Sequence, residues 1–557
     1  MRTGLLILAI SLAAGMASAQ TATLVHEGKT ECEIRLAPGS TPAMRHGAEE
    51  LQRFIKQMSG AEMRIVDGAG GAGPCILIET VPGLAEEELR IRTEGNRLRI
   101  SGGGKRGALY GCYALLEDVL GCRWYNRRVS RIPTRKTIVL HALDIHQKPA
   151  FEYREPYYPE ALDRDWAVRN RTNGTFQHLD ESVGGHVVYG QFVHTFNSLI
   201  PSDEYYDKHP EYFAMVGGKR LKGYYQPCLS NPDVLKITIA KVKGWIAANP
   251  GATIFSVSQN DTDLCCKCPA CVAVEKEEGA PSGLLLRFVN AVAEQVGKEY
   301  PNVLIDTLAY QWSEKPPKLA RPRPNVRIRL APIDACFSHP LDGCEMNKRS
   351  LANLKAWAAI TNRLYIWHYG TNFANYLQPL PDLDEIRGDV PIFKRYGAVG
   401  LFYEGDSSPN GGADMSELKA YLIAKLMWDT TRDGKAIIAE YVAAVYGKGA
   451  PYIMQWLDLL HTPARMKGVH AGIFDPTSAP YLTHTLMKEG DRLFDAAEIA
   501  TDSDPAAHEE VQRARMALDY AQANYAARHL VEKVRRFGVG PVAGSDDASK
   551  LFEKIGK

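Results

Sequence analysis

The segment TIFSVSQND, residues 253–261, begins as an apolar run and ends in an amide and an acid. The run from Thr253 to Ser258 is short and carries β-branched and aromatic residues, a pattern typical of a buried strand. Asn260 and Asp261 then stand at the C-terminal end of that strand. Segments of the same design recur through the centre of the chain, and they decide the fold class.

Eight segments share this design of an apolar strand with a polar end. They are FEYREPYY (151–158), GQFVHTF (190–196), YYQPCLS (224–230), TIFSVSQND (253–261), LIDTLAYQW (304–312), VRIRLAPID (326–334), RLYIWHYG (363–370) and AVGLFYEGD (398–406). Helical patterns at Pro232–Ala248, Pro281–Glu299 and Leu351–Thr361 separate several of them. The rhythm predicts an α/β fold, a (β/α)8 barrel over residues 150–416. A doubly wound open sheet is the alternative, but no glycine-rich phosphate loop follows any strand.

A small α+β accessory domain is predicted before the barrel, at residues 21–145. A strand at 32–37 precedes a helix that Gly60 ends, and ELRIRTEGNRLRISG predicts a hairpin around Gly95-Asn96. A helix from about residue 106 to 120 closes this domain.

A helical C-terminal domain is predicted at residues 417–557. Leu418, Leu422 and Leu426 fall on one helix face, Asp504-Pro505 is a typical helix start, and Gly538 is a typical stop.

The N-terminus has the pattern of a secretory signal peptide, residues 1–19. Arg2 precedes an apolar run from Leu5 to Ala14, and Ala17-Ser18-Ala19 supplies a cleavage site before Gln20. An N-terminal membrane anchor is the alternative, but the run is too short to span a bilayer. We therefore predict a secreted or periplasmic protein that has no membrane segment after cleavage.

The composition excludes some classes of partner. The 557 residues include 66 basic and 65 acidic ones and no basic block, which argues against nucleic acid or anionic lipid. The 26 tyrosines and 8 tryptophans can supply flat platforms for sugar rings. Carbohydrate is therefore the expected partner.

Catalytic groups of a barrel project from the C-terminal ends of its strands. The predicted ends deliver Arg154, Glu155, His194, Cys228, Asn260, Asp261, Tyr310, Trp312, Asp334, Trp367, His368, Tyr369, Tyr403, Glu404 and Asp406. The sequence contains no nucleophile elbow, zinc-protease motif or Walker loop. Aromatic walls with opposing carboxylates indicate glycoside hydrolysis, in which one acid protonates the leaving oxygen and a second carboxylate activates water or attacks the sugar.

Asp261 and Glu404 are the predicted catalytic pair, with Asp334, Asp406 and Glu155 as alternatives. The residues predicted to bind substrate are His194, Asn260, Tyr310, Trp312, Trp367, His368, Tyr369, Tyr403 and Asp406. No cofactor is expected to be required for catalysis.

The cysteines offer either metal ligands or disulfides. Cys266, Cys268 and Cys271 form CxCxxC, and Cys228 at a neighbouring strand end can complete a structural zinc site. Disulfides compete in an exported protein, and Cys336 with Cys344 is a natural loop-closing pair.

Several segments resemble known families. GGKRGALYGCYALLEDVLGCRWY (103–125) is similar to the end of the N-terminal domain of α-glucuronidases and of hexosaminidases of glycoside hydrolase families 20 and 84. The central region resembles the bacterial domain of unknown function 4838. The segments that carry this resemblance are VHTF (193–196), HPEYFAMVGGKR (209–220), CLSNPDV (228–234), SVSQND with its CxCxxC tail, TLAYQW (307–312), YIWHYG (365–370) and AKLMWD (424–429).

The resemblance implies an exported glycosidase that is α-glucuronidase-like or N-acetylhexosaminidase-like, and with the side chains at the strand ends it leads us to expect an exo-acting enzyme. In the hexosaminidases an acidic pair follows the fourth strand, where the first acid steers the acetamido group and the second protonates the leaving oxygen. Here the pair reads Asn260-Asp261. The resemblance therefore assigns the general acid to Asp261, puts substrate-assisted hydrolysis in doubt and leaves Glu404 as base or nucleophile. A non-catalytic carbohydrate-binding protein, or a glycan lyase with His194 or His368 as base, are the alternative functions.

Overall fold

The computed structural model describes residues 21–71, 73–406, 408, 411–466 and 468–536. The predicted signal peptide and Gly538 lie outside these residues. The chain forms two compact units, the first from residues 21–122, 132–148 and 182–184 and the second from the remainder. The second unit contains both the central strands and the C-terminal helices.

The first unit contains a six-stranded mixed sheet and two main helices. Its strands are Ala22–Val25, Glu33–Leu36, Ile65–Asp67, Cys75–Thr80, Leu89–Glu94, Arg97–Gly102, Ile138–Leu140 and Asp144–Gln147, of which the first and the seventh pair separately. Its helices are Pro42–Ser59 and Gly107–Ala114, the latter continued by a π-helical turn at Leu115–Val119. The predicted hairpin around Gly95-Asn96 is confirmed, because Leu89–Glu94 pairs antiparallel with Arg97–Gly102.

The caps of helix Pro42–Ser59 explain its bounds. Thr41 accepts a hydrogen bond from the backbone N–H of Met44 at 3.2 Å, which satisfies a donor that the first turn leaves free. Gly60 ends the helix with φ +85°, a left-handed conformation that costs glycine little.

Seven parallel strands form the main sheet of the second unit. They are β1 (Tyr153–Tyr157), β2 (Tyr189–Gln191), β3 (Ile254–Ser256), β4 (Leu304–Tyr310), β5 (Val326–Ala331), β6 (Leu364–Tyr369) and β7 (Ala398–Glu404). Their order is β1-β7-β6-β5-β4-β3-β2, and no ladder joins β1 to β2 in the described part of the chain. The α/β class is confirmed, but a closed eight-stranded barrel is not, and the sheet is a curled half-barrel.

The predicted strand YYQPCLS (224–230) is wrong. Only an isolated bridge between Phe213 and Pro227 forms there. Pro227 has no N–H to give a ladder, and the side chain of Gln226 donates instead to the carbonyl oxygens of Asn260 and Thr262 at 2.8 and 2.9 Å. This segment therefore braces the turn after β3 as a loop.

A buried arginine lies inside the curl of the sheet. The guanidinium of Arg329 in β5 lies 5.1 to 5.9 Å from ring centroids on β1, β2, β6 and β7, which are those of Tyr153, Tyr189, Tyr365, Trp367 and Phe402. Its Nε donates to Asp306 Oδ2 at 3.4 Å, and both side chains are fully buried. Cation–π contacts and this ion pair compensate for the burial of the charge.

Helices cover the outer face of the sheet and form the C-terminal part of this unit. They are Pro159–Leu162, Arg164–Arg169, Phe196–Leu199, Ser202–Tyr205, Pro232–Ala248, Pro269–Glu278, Ser282–Gly297, Lys348–Ala358, Leu383–Arg395, Ser416–Trp428, Gly434–Val445, Ala450–His461, His484–Thr501 and Pro505–Arg536. Two short hairpins add strands at Arg123–Trp124 with Ser130–Arg131 and at Met215–Val216 with Lys219–Arg220. The predicted helix Pro232–Ala248 and the start at Asp504-Pro505 are confirmed. Among the described residues, no helix is long and apolar enough to cross a membrane.

Candidate active site

A cavity of about 320 Å³ lies at the C-terminal ends of the parallel strands. Its lining residues are His194, Asp261, Leu308, Tyr310, Ala331, Ile333, Trp367, Tyr369, Phe373, Glu404, Ile473 and Phe474. Ligand sites of α/β sheets form at this end, and the volume is at the small end of the range for small-molecule sites. Both predicted catalytic acids line this cavity.

Glu404 is the last residue of β7 and faces the cavity. Its Oε2 accepts a hydrogen bond from the indole N–H of Trp367 at 2.8 Å. Burial raises the pKa of Glu404 to about 7, against the effect of this hydrogen bond, and the charge of Asp261 raises it further. Glu404 is therefore a carboxyl group that keeps its proton to near neutral pH.

Asp261 is exposed and lines the cavity from the turn after β3. The hydroxyl of Tyr310 donates to its Oδ1 at 3.1 Å, and the hydroxyl of Tyr224 accepts from its backbone N–H at 3.4 Å. Burial, together with the charge of Asp261, raises the pKa of Tyr310, so that its hydroxyl stays a donor. The turn thus presents an anchored carboxylate to the cavity.

His194 adds an imidazole with a defined orientation. Its φ of +58° is left-handed, and its backbone N–H donates to Ser258 Oγ at 2.9 Å. Its Nδ1 lies 2.8 Å from the carbonyl oxygen of Gln259. A carbonyl oxygen only accepts, so Nδ1 carries the proton and Nε2 of the neutral ring is an acceptor.

Aromatic rings form the walls of the cavity. Trp367, Tyr369 and Tyr310 were predicted at this site, and the structure brings them together there. Phe373 and Phe474 were not predicted. Both come from loops, and Phe474 is 61% exposed although its ring centroid lies 6.0 Å from that of Phe373.

Asn260 does not reach the cavity, which corrects the predicted contact with substrate. Its side chain is fully buried. The Oδ1 atom accepts from the N–H of Asn197 and the Nδ2 group donates to the carbonyl oxygen of Tyr225, each at 2.8 Å. The amide therefore holds neighbouring loops together.

His368 and Tyr403 are also corrections, because they point away from the cavity towards the helices. Nε2 of His368 bonds to Glu385 and lies 3.5 Å from Asp389, and the hydroxyl of Tyr403 donates to Glu385 at 2.8 Å. Burial disfavours the charged ring, but these carboxylates outweigh burial and raise the pKa of His368 to about 9. This cluster is buried and supports the sheet from behind.

Four further predicted residues lie outside the cavity lining. Asp406 is buried and accepts from the N–H groups of residues 408 and 413. Asp334 is exposed and pairs with Arg349 at 2.7 Å. Glu155 is buried and accepts from two backbone N–H groups, and Trp312 packs against the core. Each of these four side chains contacts other protein groups and does not line the cavity.

Four buried thiols beside the Asp261 turn can hold a metal ion. The sulfur of Cys228 lies 3.7 Å from that of Cys268 and 3.8 Å from that of Cys271, and Cys266 completes the group. Tetrahedral coordination with metal–sulfur bonds of about 2.3 Å places sulfurs about 3.8 Å apart, so the four residues fit such an ion. Every cysteine in the described part of the chain is a free thiol.

The predicted disulfide between Cys336 and Cys344 is wrong in this structure. Both are free thiols. They lie instead in a group with His339 and His470, in which each residue offers one ligand atom within 4.8 Å of the others.

The sequence matches the family model for the domain of unknown function DUF4838 over residues 124–458. No curated protein sequence matches the chain. The family match confirms the resemblance to this domain that the central segments indicate.

Two solved structures show a similar fold. A family GH115 4-O-methyl-α-glucuronidase, BtGH115A, with specificity for decorated arabinogalactans, has a TM-score of 0.56 and 12% identity over 89% of this chain and 73% of its own. A GH138 enzyme targeting pectin rhamnogalacturonan II has a TM-score of 0.50 and 12% identity over 88% of this chain and 69% of its own. A third solved structure, CpGH84B, has a TM-score of 0.49 and 10% identity over 97% of this chain and 94% of its own.

At these identities the first two likenesses establish the fold and nothing finer. The chain shares its fold with glycoside hydrolases, as the sequence predicts. The family match covers more than half of the chain, and the protein belongs to the DUF4838 family.

Proposed function

We propose that this protein is an exported glycoside hydrolase that removes a terminal sugar from a complex glycan, with Asp261 and Glu404 as its carboxyl pair. The observation that carries the proposal is that both acids line one aromatic-walled cavity at the C-terminal ends of the strands. Two carboxyl groups at one sugar site are what most glycoside hydrolases require. The small volume of the cavity favours a terminal residue over a long chain segment.

The two acids differ in environment, and this difference favours distinct roles. Glu404 keeps its proton to about pH 7 and so suits the general acid, while Asp261 is exposed and accepts a hydrogen bond from the hydroxyl of Tyr310. In this assignment Glu404 protonates the leaving oxygen and Asp261 acts at the anomeric carbon or on the attacking water. It reverses the order that the resemblance to hexosaminidases implies.

The lining of the cavity favours a neutral sugar. Among the described residues that line it there is no lysine or arginine to pair with a uronate, and the buried Asn260 cannot hold an acetamido group. Trp367 and Tyr369 supply faces for the sugar ring, and Nε2 of His194 can accept from a hydroxyl group. A neutral hexose or pentose is the expected substrate residue.

The four-thiol group, formed by Cys228, Cys266, Cys268 and Cys271, is proposed to hold a structural zinc ion. Its sulfur spacings support a closed tetrahedral site, and four thiolates leave no open position for catalysis. No cofactor is proposed for the reaction. Export rests on the sequence of residues 1–19, and the mass of the mature protein tests it.

The first experiment is a panel of aryl glycosides and natural glycans, read by the mass of the released sugar. Wild type should release a neutral sugar, and Asp261→Asn and Glu404→Gln should each lose activity. Asp334→Asn is the matched control, because Asp334 is an exposed acid that follows β5 but does not line the cavity. Glycan binding without turnover would support a carbohydrate-binding protein, and an unsaturated product would support a lyase.

The dependence of the hydrolysis rate on the leaving group tests which of Glu404 and Asp261 is the general acid. General acid catalysis contributes about 10²–10⁴-fold, so Glu404→Gln should lose that factor on poor leaving groups and far less on dinitrophenyl glycosides. Asp261→Asn should hydrolyse both kinds of substrate slowly. The reverse pattern would return the general acid to Asp261.

A further inference from the structure

Four metal-ligand side chains meet behind one wall of the cavity. Cys336, His339 and Cys344 lie in the segment that follows β5, and His470 comes from the loop between helices Ala450–His461 and His484–Thr501. Nδ1 of His339 lies 3.1 Å from the sulfur of Cys336. Nδ1 of His470 lies 3.4 Å from that sulfur and 3.6 Å from the sulfur of Cys344.

These separations suit a tetrahedral ion with two sulfur and two nitrogen ligands. Bonds of about 2.3 Å to sulfur and about 2.0–2.1 Å to nitrogen place the two ligand atoms about 3.5 Å apart. Both imidazoles turn Nδ1 towards the thiols, an orientation that a disulfide would not require. Mixed thiolate and imidazole ligands in this number are typical of structural zinc.

We propose that Cys336, His339, Cys344 and His470 bind one zinc ion, separate from the four-thiol group, and that this ion holds the loop around His470 at the cavity. Cys336, His339 and Cys344 supply three ligands from one short segment with C-x2-H-x4-C spacing. His470 supplies the fourth from a distant part of the chain, so the ion closes a long loop.

The loop that carries His470 also shapes the cavity. The carbonyl oxygen of Ala471 accepts from the N–H of Phe337 at 2.8 Å, and that of Ile473 accepts from the N–H of Phe373 at 2.7 Å. Ile473 and Phe474 line the cavity. Zinc at His470 would therefore fix one wall of the sugar site from outside it.

Metal content of the full-length protein tests this site. Wild type should hold two zinc ions per chain by elemental mass spectrometry. His470→Ala should hold one, and Cys268→Ser, the matched control in the four-thiol group, should also hold one but lose the other ion. Combining the two changes should leave none. Zinc content that does not change in His470→Ala would overturn the proposal.

Two measurements on the wild type keep the test decisive if a variant fails to fold. Zinc X-ray absorption should report an average of three sulfur and one nitrogen ligand when both sites are filled, against four sulfurs when only the four-thiol group is filled. Peptide mapping without reduction should find Cys336 and Cys344 unlinked. A disulfide between them, or a pure sulfur shell, would refute the second site.

Hydrogen exchange tests whether the zinc ion at His470 holds the loop that forms one wall of the cavity. Backbone amides of residues 468–475 should exchange faster in His470→Ala than in wild type, and those of the segment around Cys268 should not. Equal exchange in both proteins would contradict the role of the ion in holding this loop, whatever the outcome for hydrolysis.

Discussion

Glu404→Gln should make the protein more stable at alkaline pH while it removes the proposed acid. Burial at the cavity disfavours the charged form of Glu404 and raises its pKa from the ordinary 4.5 to about 7. An amide of the same shape carries no charge at any pH in this range, and its oxygen can still accept from the indole of Trp367. The variant therefore removes the burial cost and keeps the hydrogen bond.

The sign and the magnitude of this effect follow from proton linkage. Between pH 4.5 and 7 the folded state keeps the Glu404 proton and the unfolded state has lost it, so stability falls as the pH rises through this window. Each pH unit between the two pKa values is worth about 1.4 kcal/mol, which sets an upper limit on the order of 3 kcal/mol. Because Glu404 is only partly buried and water screens its charge, we expect about 2 kcal/mol.

Urea unfolding at pH 4 and at pH 8.5 measures this difference. Wild type and Glu404→Gln should have similar free energies of unfolding at pH 4, and the variant should be the more stable at pH 8.5. Glu489→Gln is the control, because the hydrogen bond from Arg492 lowers the pKa of this exposed acid and the effect should have the opposite sign. A difference between wild type and Glu404→Gln that is the same at both pH values would refute the reasoning.

Three further changes test other parts of the second unit. Tyr310→Phe removes the hydroxyl that donates to Asp261, and kcat/KM on the active substrate should fall about 10- to 100-fold, since a hydrogen bond to a charged group is worth about 1.5–3 kcal/mol. Arg329→Met leaves Asp306 buried and unpaired, and urea unfolding should show a loss of about 3–5 kcal/mol that Asp306→Asn partly restores. Asn260→Asp puts an acid where the hexosaminidases have one, but the side chain would face a backbone carbonyl without a donor. We expect about 1–3 kcal/mol of destabilisation in thermal unfolding and no N-acetylhexosaminidase activity.

The sequence located the strand ends but not which side chains face the cavity. Side chains alternate along a strand, so Trp367 and Tyr369 line the cavity whereas His368 between them points to the helices. The same alternation separates Glu404 from Tyr403. Helices bury the outer face of this sheet and aromatic rings fill its curl, so most side chains on both faces are buried and the alternation that would show the inward face is lost.

Loops account for the remaining differences. Phe373 and Phe474 join the cavity from segments with no strand or helix pattern, so nothing in the sequence placed them beside β6. The predicted strand at 224–230 has aromatic residues typical of a strand, but Pro227 and the side-chain contacts of Gln226 fix it as a loop. Such contacts depend on residues that are distant in sequence, and local propensity cannot show them.

The rim of the cavity has two kinds of support, and the difference explains where the thiols lie. Tyr369 and Glu404 end strands, and the backbone ladder between β6 and β7 holds them directly opposite each other. Asp261 and Phe474 stand on turns, where no ladder fixes the backbone. Three of the four thiols follow the turn of Asp261 in the chain, and His470 precedes Phe474 by four residues. A catalytic pair needs its two carboxyl groups at a fixed separation, and a sheet supplies this only for the acid on the strand. Metal ions at these two groups would give the turns the rigidity that the sheet gives the strand ends, so loss of either ion should weaken substrate binding before it unfolds the sheet.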